Sequence, residues 1–556
     1  MDNIRFDVTY FEGGKKYRIR SAENTHFKVE YKLSDNSFKA FITAKQKITL
    51  HRVDVIFDRE FKQGDKFFGN GYQSWTLSKE YGEKDKMQDI MAIAATKSLK
   101  NLAGVSSDCR FVECPKKAGE FYSHCYTYIR NGKNVDLFGS LSERQGFTVI
   151  YGDMNNNTLT FSKDVEGVTI DGKYDLFDMF IASGLYDDVF DAYFDKMGVK
   201  KPKIDHLAGY TSWYNYFRNI NEEIILRDLN ALDSISESVS IFQIDDGFQS
   251  AVGDWTEVNK EKFPHGLKYI ADEIHKKGYL AGLWLAPFYV QFTSKVVKYH
   301  KDWLIKTEKG GNEFGTPNWG GTYTLDICNE GARAYIKNFF DVILNDWGFD
   351  MVKLDFLYAE CLNPRFNKSR GQLMCEAMEF LRECCGDKLI LGCGVPLGPA
   401  FGYVDACRIG NDVDLTYKGK YYNLLHVNNE IPSAQNSIIN AIFRRHLDSR
   451  VFINDPDVFF MRYSNLKFNQ EQKQLLAAVN HIFGNVLFVS DNAGEYRRSD
   501  GAAVQKAFSK FNGEVKNVEF NNGIFTIEYT ENGLNKALDF DLKEGKIIRG
   551  NIFDND

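Results

Sequence analysis

The hydrophobic pattern of the chain changes twice. Residues 1 to about 195 alternate apolar and polar side chains in short runs, such as Phe27–Tyr31 and Ser37–Ile42, with turn pairs such as Asn131-Gly132 between them. Because successive side chains of a strand point to opposite faces, this alternation predicts an antiparallel β-sandwich. A helical period first occurs at Leu185–Phe194, where the sandwich is expected to end.

From about residue 205 the pattern is strand, then helix, repeated. Helical stretches such as Leu267–Lys277 and Leu373–Cys385 carry apolar residues at three- and four-residue spacing, whereas the connection from Cys393 to Cys407 lacks a clear long helix. Eight strands are predicted, at 207–213, 239–246, 279–287, 350–356, 388–394, 405–410, 450–457 and 485–491. Eight such units in roughly 290 residues favour a (β/α)8 TIM barrel. A doubly wound open sheet is the alternative, but no glycine-rich phosphate fingerprint follows the first strand.

The last part of the chain, from about residue 512, alternates again. Runs at 515–520, 524–529 and 537–542 are separated by turns containing Asn-Gly, which predicts a small antiparallel β-domain. The fold class is therefore α/β, with three predicted domains. They are an N-terminal β-sandwich domain (residues 1–200), a barrel (201–511) and a C-terminal β-domain (512–556).

Length, net charge and cysteine spacing argue against several classes of protein. At 556 residues the chain is too long for one compact core. Its net charge of -7 is modest and argues against nucleic acid or an anionic membrane as a partner. The ten cysteines show no metal-ligand spacing, and no apolar run approaches the roughly 18 residues needed to cross a bilayer. These features predict a reduced cytoplasmic protein.

Polar and aromatic side chains gather at the ends of the predicted strands, where barrels of this class place their active sites. These residues are Trp213, Tyr214, Asp245, Asp246, Trp284, Lys353, Asp355, Cys393, Arg408 and Asp412. Carboxylates that accept from hydroxyl groups, together with aromatic faces that cover C–H patches, suit a carbohydrate. Few histidines lie there, which argues against zinc. A hard-cation site built from Asp245, Asp246, Asp355 and Asp412 is the alternative.

Two short segments have two interpretations each. Lys353 and Asp355 are two residues apart in an otherwise apolar strand, so both project from the same face. They form either a structural ion pair or an active-site carboxylate that its neighbouring lysine keeps ionised. Residues 68–75 are glycine-rich, polar and aromatic, which is typical of a loop that presents Trp75 or of a hairpin with a core tryptophan.

Motifs across the predicted barrel resemble glycoside hydrolase family 36, the α-galactosidases or melibiases, in their compact prokaryotic type. The matching strings are GYTSWYNYF (209–217), QIDD (243–246), GLWLAPF (282–288), KLDF (353–356), LGCGVP (391–396), RIGND (408–412) and NDPD (454–457). They run in family order, and their combination is specific. Outside the barrel only GYQSW (71–75) matches at the level of a motif. The resemblance also implies an N-terminal β-supersandwich and a small C-terminal β-domain.

The resemblance implies a retaining, exo-acting glycoside hydrolase that releases terminal α-linked galactose from small oligosaccharides of the melibiose and raffinose type. Asp355 resembles the nucleophile, and Asp412 resembles the acid/base. Such pairs act by double displacement, here through a β-galactosyl ester of Asp355. No cofactor and no metal are implied.

Substrate contacts carry over in the same way. Asp245 and Asp246 resemble the pair that binds the C4 and C6 hydroxyls, Lys353 contacts the O3/O4 side, and Arg408 contacts the O2 side. Cys393 lies near O2 as a contact. Apolar walls are expected from Trp284, Trp213 and Tyr214, and a closing contact from Trp75.

Four alternatives remain at this point. Two lie within the family, an α-N-acetylgalactosaminidase and an α-galactosyl transglycosidase. The others are a sugar-binding protein without activity, against which the presence of both Asp355 and Asp412 argues, and a metal-dependent barrel enzyme.

Overall fold

The structure is a computed structural model that describes residues 2–87, 111–307, 309–418 and 431–553. In its N-terminal part, two antiparallel sheets face each other, with strand orders β2-β1-β5-β12-β11-β8 and β3-β4-β14-β10-β9-β6-β7, and β13 pairs with β5. The strands are β1 Asp2–Glu12, β2 Lys15–Ile19, β3 Phe27–Ser34, β4 Ser37–Ala44, β5 Ile48–Asp58, β6 Lys66–Gly69, β7 Lys79–Tyr81, β8 Glu120–His124, β9 Tyr126–Asn131, β10 Asn134–Ser140, β11 Thr148–Asp153, β12 Thr158–Asp164, β13 Thr169–Ile170 and β14 Lys173–Leu185.

The alternating pattern produces this sandwich directly. Along β4, Phe38, Ala40 and Ile42 are buried at every second position. Phe38 meets Phe57 of the opposite sheet edge-on, with ring centroids 5.2 Å apart. These side chains belong to an apolar core drawn from residues 6–179, whereas other sandwich residues, such as Tyr126 and Leu137, belong to the core of the rest of the chain. The predicted strands at 27–31 and 37–42 are confirmed.

The middle part is built on a curled sheet of parallel strands. Its order is β23-β22-β21-β20-β17-β16-β15-β25-β24, and a separate hairpin pairs β18 with β19. The bounds are β15 Leu207–Thr211, β16 Ile241–Ile244, β17 Leu280–Leu285, β18 Tyr289–Gln291, β19 Thr322–Thr324, β20 Met351–Leu354, β21 Leu389–Gly392, β22 Ala406–Arg408, β23 Ile453–Asp455, β24 Val458–Phe459 and β25 Val486–Val489. The two outermost strands, β23 and β24, follow each other in the chain with only Pro456 and Asp457 between them. All eight predicted strand positions therefore carry parallel strands, and the seventh is interrupted.

Helices alternate with these strands. Their bounds are α1 Tyr186–Met197, α2 Trp213–Tyr216, α3 Glu222–Ala231, α4 Gly266–Lys276, α5 Lys295–Tyr299, α6 Glu330–Asp341, α7 Arg370–Cys385, α8 Leu397–Ala400, α9 Ala434–Phe443, α10 Gln470–Phe483 and α11 Arg498–Phe508. Side-chain caps start several of them, as where Ser369 accepts from Gln372 N and Asn469 accepts from Gln472 N. The connection predicted to lack a long helix contains only the four residues of α8.

A four-stranded antiparallel sheet ends the described chain. Its strands are β26 Gly513–Asn521, β27 Ile524–Glu531, β28 Leu534–Asp541 and β29 Lys546–Arg549. The first three were predicted, but β29 was missed because its short sequence is largely exposed and has no buried alternation. Phe525 of β27 packs on Phe443 of α9 at 5.9 Å, so this sheet shares the apolar core of the parallel sheet.

The structure also bears on membrane-spanning helices and on the oxidation state of the cysteines. Within the described residues, no helix combines the length and the apolar character needed to cross a bilayer. Cys114 is disulfide-bonded, whereas the eight cysteines from Cys125 to Cys407 are free. The expectation of a fully reduced chain is therefore wrong at Cys114.

Candidate active site

Side chains at the carboxyl ends of three neighbouring parallel strands form the candidate site. Asp245 follows β16, Trp284 lies near the end of β17, and Lys353 and Asp355 lie at the end of β20. Each is at most 8% exposed. A buried charge is costly unless it is paired and hydrogen-bonded, so the partners of these groups define the site.

Asp355 is held from both sides. Its Oδ2 accepts a hydrogen bond from Trp284 Nε1 at 3.0 Å, and its Oδ1 accepts from Phe356 N at 2.8 Å. The second bond is available because Phe356 turns the chain with a left-handed φ of 56° directly after the strand. Burial raises the pKa of the Asp355 carboxyl, while Lys353 and the Trp284 donor act in the opposite direction.

Lys353 has a different partner from the one expected. Its ammonium lies 2.9 Å from Asp245 Oδ2, and both side chains are buried. Asp245 also accepts from Gln243 Nε2 at 2.9 Å, while Ser212 Oγ accepts from Asp245 N. The expectation that Lys353 keeps Asp355 ionised is therefore corrected. Lys353 lowers the pKa of Asp355, but burial outweighs this effect and the ion pair belongs to Asp245.

Asp246 accepts a hydrogen bond from a tryptophan that the sequence pattern does not single out. Trp319 Nε1 donates to Asp246 Oδ2 at 2.7 Å, and Gln249 Nε2 donates to Oδ1 at 2.6 Å. The Trp319 ring also meets Phe356 at 5.3 Å and Trp284 at 6.1 Å. Burial raises the pKa of the Asp246 carboxyl, and these two donors oppose the rise. Trp319 precedes Gly320-Gly321 in the long connection after β17, and that position was the available signal.

Arg408 gathers three carboxylates. Its Nη1 lies 2.9 Å from Asp412 Oδ1, its Nε 3.1 Å from Asp455 Oδ2, and its Nη2 2.8 Å from Asp457 Oδ1. The Asp455 and Asp457 side chains are fully buried, whereas that of Asp412 is 41% exposed. Asp412 is thus the member of this group that reaches the open space above the strands.

Asp457 lies in the interruption between β23 and β24. It accepts hydrogen bonds from the Tyr214 hydroxyl and from Val413 N, the latter at 2.8 Å. Burial raises the pKa of Asp457 to about 7, and the negative charges of Asp412 and Asp455 add to this while Arg408 opposes it. Tyr214, which is expected to form an apolar wall, also donates its hydroxyl hydrogen to this buried carboxylate.

Asp355 and Asp412 interact across the site. The negative charge of Asp412 contributes to the raised pKa of Asp355, although the two residues follow different strands of the sheet. One carboxyl is buried and fixed by two donors, and the other is half-exposed on an arginine. Two carboxyl groups in such unlike surroundings can divide the roles of nucleophile and proton donor.

Trp75 reaches this site from the N-terminal part of the chain. Its Nε1 donates to Cys393 Sγ at 3.2 Å, and its ring meets Phe356 edge-on at 5.1 Å. The loop is fixed to the segment after β21 because Ser74 N donates to Val395 O at 2.9 Å. Burial raises the pKa of the Cys393 thiol well above its ordinary value, so Cys393 is a neutral contact. Trp75 is therefore a loop residue at the site, not the core of a hairpin.

Trp213 is placed at the edge of the group. It is half-buried and packs edge-on against Phe217, with ring centroids 5.2 Å apart. The structure thus brings most of the predicted residues into one connected set, and Trp213 contacts the exposed Phe217 beside it.

The hard-cation alternative requires four aspartates to converge on one ion. Each of them instead binds a different protein donor, Asp245 to Lys353, Asp246 to Trp319, Asp355 to Trp284 and Asp412 to Arg408. Within residues 2–87, 111–307, 309–418 and 431–553, no group of three or more His, Cys, Asp or Glu side chains is arranged to hold a metal ion.

Comparison with known proteins matches this part of the chain to one family. Residues 211–376 match the family model described as Melibiase. A 156-residue stretch is 33% identical to an A type blood alpha-D-galactosamine galactosaminidase of Flavonifractor plautii, and 139 residues are 30% identical to Alpha-galactosidase 1 of Pediococcus pentosaceus. These alignments cover 26% and 23% of this chain but only 14% and 18% of the two relatives.

The fold as a whole is similar to that of a solved enzyme. The α-galactosidase from Thermus thermophilus, in complex with p-nitrophenyl α-D-galactopyranoside, superposes with a TM-score of 0.72 at 23% identity. The superposition covers 94% of this chain and 98% of that chain. This likeness extends over the antiparallel and the parallel parts of the molecule alike.

Proposed function

We propose that this chain, whose residues 211–376 match the Melibiase family model, is a retaining, exo-acting α-galactosidase. It releases terminal α-linked galactose from small oligosaccharides of the melibiose and raffinose type. The observation that carries the proposal is the pair of carboxyls in unlike surroundings. Asp355 is buried and held by Trp284 and Phe356, while Asp412 is half-exposed on Arg408 and acts electrostatically on Asp355.

The reaction then follows in two displacements. Protonated Asp412 gives its proton to the glycosidic oxygen while an Asp355 oxygen attacks the anomeric carbon, so the bond to the leaving alcohol breaks as the ester bond forms. Asp412, now a carboxylate, takes a proton from water, whose oxygen displaces Asp355 from the anomeric carbon. Two inversions give net retention, the outcome for glycosidases in which one carboxylate acts as the nucleophile.

Recognition of the sugar is assigned to the groups around Asp355. Asp245, paired with Lys353, and Asp246, held by Trp319, are oriented acceptors for the hydroxyls at C4 and C6. Lys353 serves the O3/O4 side. Because each carboxylate is fixed by protein donors, little reorganisation is needed when a sugar replaces water.

The opposite side of the sugar has its own contacts. Arg408 and Cys393 lie on the O2 side, and the ring of Trp284 forms an apolar wall. Trp75 closes the pocket from the N-terminal domain, where its indole already contacts Cys393. Trp213 extends the wall at the rim, and Tyr214 acts through Asp457.

The architecture proposed for this enzyme is a closed (β/α)8 barrel between two β-domains. The juxtaposition of β23 and β24, the outermost strands of the parallel sheet, at Pro456-Asp457 supports closure. The proposed domains are residues 1–200, 201–511 and 512–556, and the apolar core drawn from residues 6–179 supports the first of them.

The decisive experiment is hydrolysis of a panel of nitrophenyl α-glycosides. We expect α-galactoside to be cleaved much faster than α-glucoside and the 2-amino- and 2-acetamido-galactosides, with α-galactose as the first-formed anomer by NMR. Preference for a 2-acetamido sugar, or a β-anomer as first product, would contradict the proposal.

A variant series locates the nucleophile. Asp355→Gly should lose turnover and, with azide, form β-galactosyl azide. Asp350→Asn is the matched control, because Asp350 lies at the other end of β20 and binds Ala281 N and His275. It should keep the wild-type kcat, and equal loss in both variants would remove the assigned role of Asp355.

A further inference from the structure

A fully buried arginine joins the N-terminal part of the chain to the segment that carries Asp412. Arg444 follows α9 directly and has 0% exposure. Its guanidinium donates to Asn70 Oδ1 at 3.1 Å, Ser74 O at 2.7 Å, Ile409 O at 2.9 Å, Gln73 O at 3.2 Å and Gly71 O at 3.4 Å. Four of the five acceptors are backbone carbonyls, and no carboxylate among the described residues pairs with it.

This arrangement is unusual for a buried charge. Buried arginines are normally paired with carboxylates, because taking a charge out of water without one is costly. Burial lowers the pKa of Arg444 to about 10, so the group stays protonated at neutral pH despite that cost. A planar guanidinium offers five donors in a fixed geometry, and this is what five acceptors on two separate segments require.

Both segments that Arg444 binds lead to the active site within a few residues. The loop 70–74 continues into Trp75, whose indole contacts Cys393. Ile409 follows Arg408, which binds Asp412. One side chain therefore fixes the position of the Trp75 loop relative to Arg408, the residue that binds Asp412.

A second contact from the same helix ties the same two segments. Asn440 is one turn before Arg444, and its Oδ1 accepts from Ser78 N at 2.7 Å. On the other side, a Cβ added at Gly410 would lie 3.1 Å from the Cβ of Asn440. The C-terminal end of α9 thus packs between the Trp75 loop and the segment that carries Asp412.

We propose that Arg444 is a positioning residue that fixes the Trp75 loop against the Arg408–Asp412 segment, so that the N-terminal sandwich forms part of the active site. The inference rests on the proposed function for its kinetic consequences. Its structural content is that Arg444 holds Trp75 beside Cys393.

The kinetic test compares Arg444→Met and Arg444→Lys with Arg370→Met. Arg370 is also a buried arginine between the two parts, but its carboxylate partners are Asp164 and Glu166, and its hydrogen bonds do not go to residues 70–75. Misplacement by about 1 Å can cost roughly 10²-fold in rate, so we expect kcat/KM of Arg444→Met to fall by about that factor. Arg444→Lys, which keeps the charge without the planar fork, should lose nearly as much, whereas Arg370→Met should stay within a few-fold of wild type.

A double-mutant cycle shows whether Arg444 acts through Trp75. Trp75→Phe should reduce kcat/KM in the wild-type background and have little further effect in Arg444→Met, because contacting networks are not additive. Additive losses, or a folded Arg444→Lys variant with wild-type kinetics, would overturn the proposal. If Arg444→Met does not fold, the same cycle is run with Arg444→Lys.

A spectroscopic test does not depend on activity. The Trp75 contribution to fluorescence is the spectrum of each protein minus that of its Trp75→Phe counterpart. Release of the indole from the Cys393 thiol and from Phe356 should shift this difference spectrum to the red and increase its intensity in Arg444→Met, but not in Arg370→Met. An unshifted spectrum would overturn the positioning role. A shifted spectrum in a protein that cleaves no α-galactoside would retain that role and remove the proposed function.

Discussion

The Lys353 ammonium lies 2.9 Å from Asp245 Oδ2, although Asp355 is only two residues away on the same strand face. Asp245 follows β16, which is separated from β20 by β17. Side chains from alternate strands of a curled parallel sheet meet in the same layer, which accounts for a pair that skips one strand. Asp355 is bound by uncharged donors, whereas Asp245 is paired with a cation.

Breaking this pair should damage stability and activity by separable amounts. Lys353→Met leaves Asp245 buried without its cation, and we expect a loss of about 3–5 kcal/mol in the free energy of unfolding. Asp245→Asn combined with Lys353→Met removes both charges and should recover most of that loss. Turnover should remain low in both proteins, since a sugar contact is gone in each. Denaturant unfolding and kcat/KM measure the two effects.

The control for that cycle is an exposed pair of the same chemistry. Lys295 and Glu257 lie 2.9 Å apart with side chains 63% and 50% exposed. Lys295→Met should leave the free energy of unfolding nearly unchanged, because exposed ion pairs contribute little to stability. If the double variant at 245 and 353 were no more stable than Lys353→Met alone, the pair would not be the source of the loss.

The carboxyl group of Asp355 should be required for activity but should reduce the stability of the folded protein. Burial raises its pKa, so the folded protein holds this proton at pH values where the unfolded chain has lost it, and stability falls as pH rises through that range. At pH 7 the burial of this carboxyl is a cost, and Asp355→Asn should raise the free energy of unfolding by about 0.5–2 kcal/mol while removing turnover.

Asp350→Asn should have the opposite effect on stability. Burial pushes the pKa of Asp350 up, but Ala281 N, His275 and Lys388 more than offset it, and its pKa is lowered overall. The ionised carboxylate therefore stabilises the fold above the ordinary pKa range of aspartate. Thermal unfolding at pH 7 compares the two variants, and a lower Tm for Asp355→Asn than for the wild type would contradict this account.

Asp457 should give the protein a pH-dependent stability near neutrality. Its pKa of about 7 in the folded state lies above the unfolded value of about 3.9, so its stabilising contribution is complete below pH 4 and is lost as pH rises to 7. One proton corresponds to a slope of at most about 1.4 kcal/mol per pH unit. In Asp457→Asn the free energy of unfolding should decline less steeply between pH 4 and 7 than in the wild type. Parallel curves for the two proteins would show that Asp457 does not titrate in this range.

The strands and the residues at their ends could be predicted because both depend on local pattern. Apolar runs bounded by turns marked all eight positions of the parallel sheet, and the carboxyl ends of parallel strands share one edge. The partners of the charged groups could not be predicted in the same way. The spacing of Lys353 and Asp355 suggested a pair, but the arrangement across strands chose Asp245 instead.

Trp319 and Arg444 could not be predicted as site residues, because their contacts depend on backbone geometry and not on residue type. Trp319 reaches Asp246 because its own φ is 56°, a conformation that the sequence does not specify for tryptophan. The acceptors of Arg444 are mostly backbone carbonyls, which every residue has, so no sequence pattern identifies them. An arginine directly after the apolar helix Ala434–Phe443 was the one available sign that a buried cation lay there.

Gly394 should be required for the position of Trp75, beyond its need for a left-handed backbone. Its φ is +55°, and a Cβ there would lie 2.8 Å from Trp75 Cζ2 and 3.0 Å from Phe356 N. Gly402 also has a left-handed φ, +79°, but its Cβ would meet nothing nearer than Val199 Cγ1 at 3.5 Å. Gly402→Ala should therefore cost about 1–2 kcal/mol in the free energy of unfolding, for the backbone alone. Gly394→Ala should cost a further 1–3 kcal/mol or so, as overpacking does, and should reduce kcat/KM where Gly402→Ala does not. Equal effects of the two substitutions on stability and on kcat/KM would contradict this prediction. They would mean that the Trp75 indole can move without loss of stability or activity, and that its position beside Asp355 is not fixed.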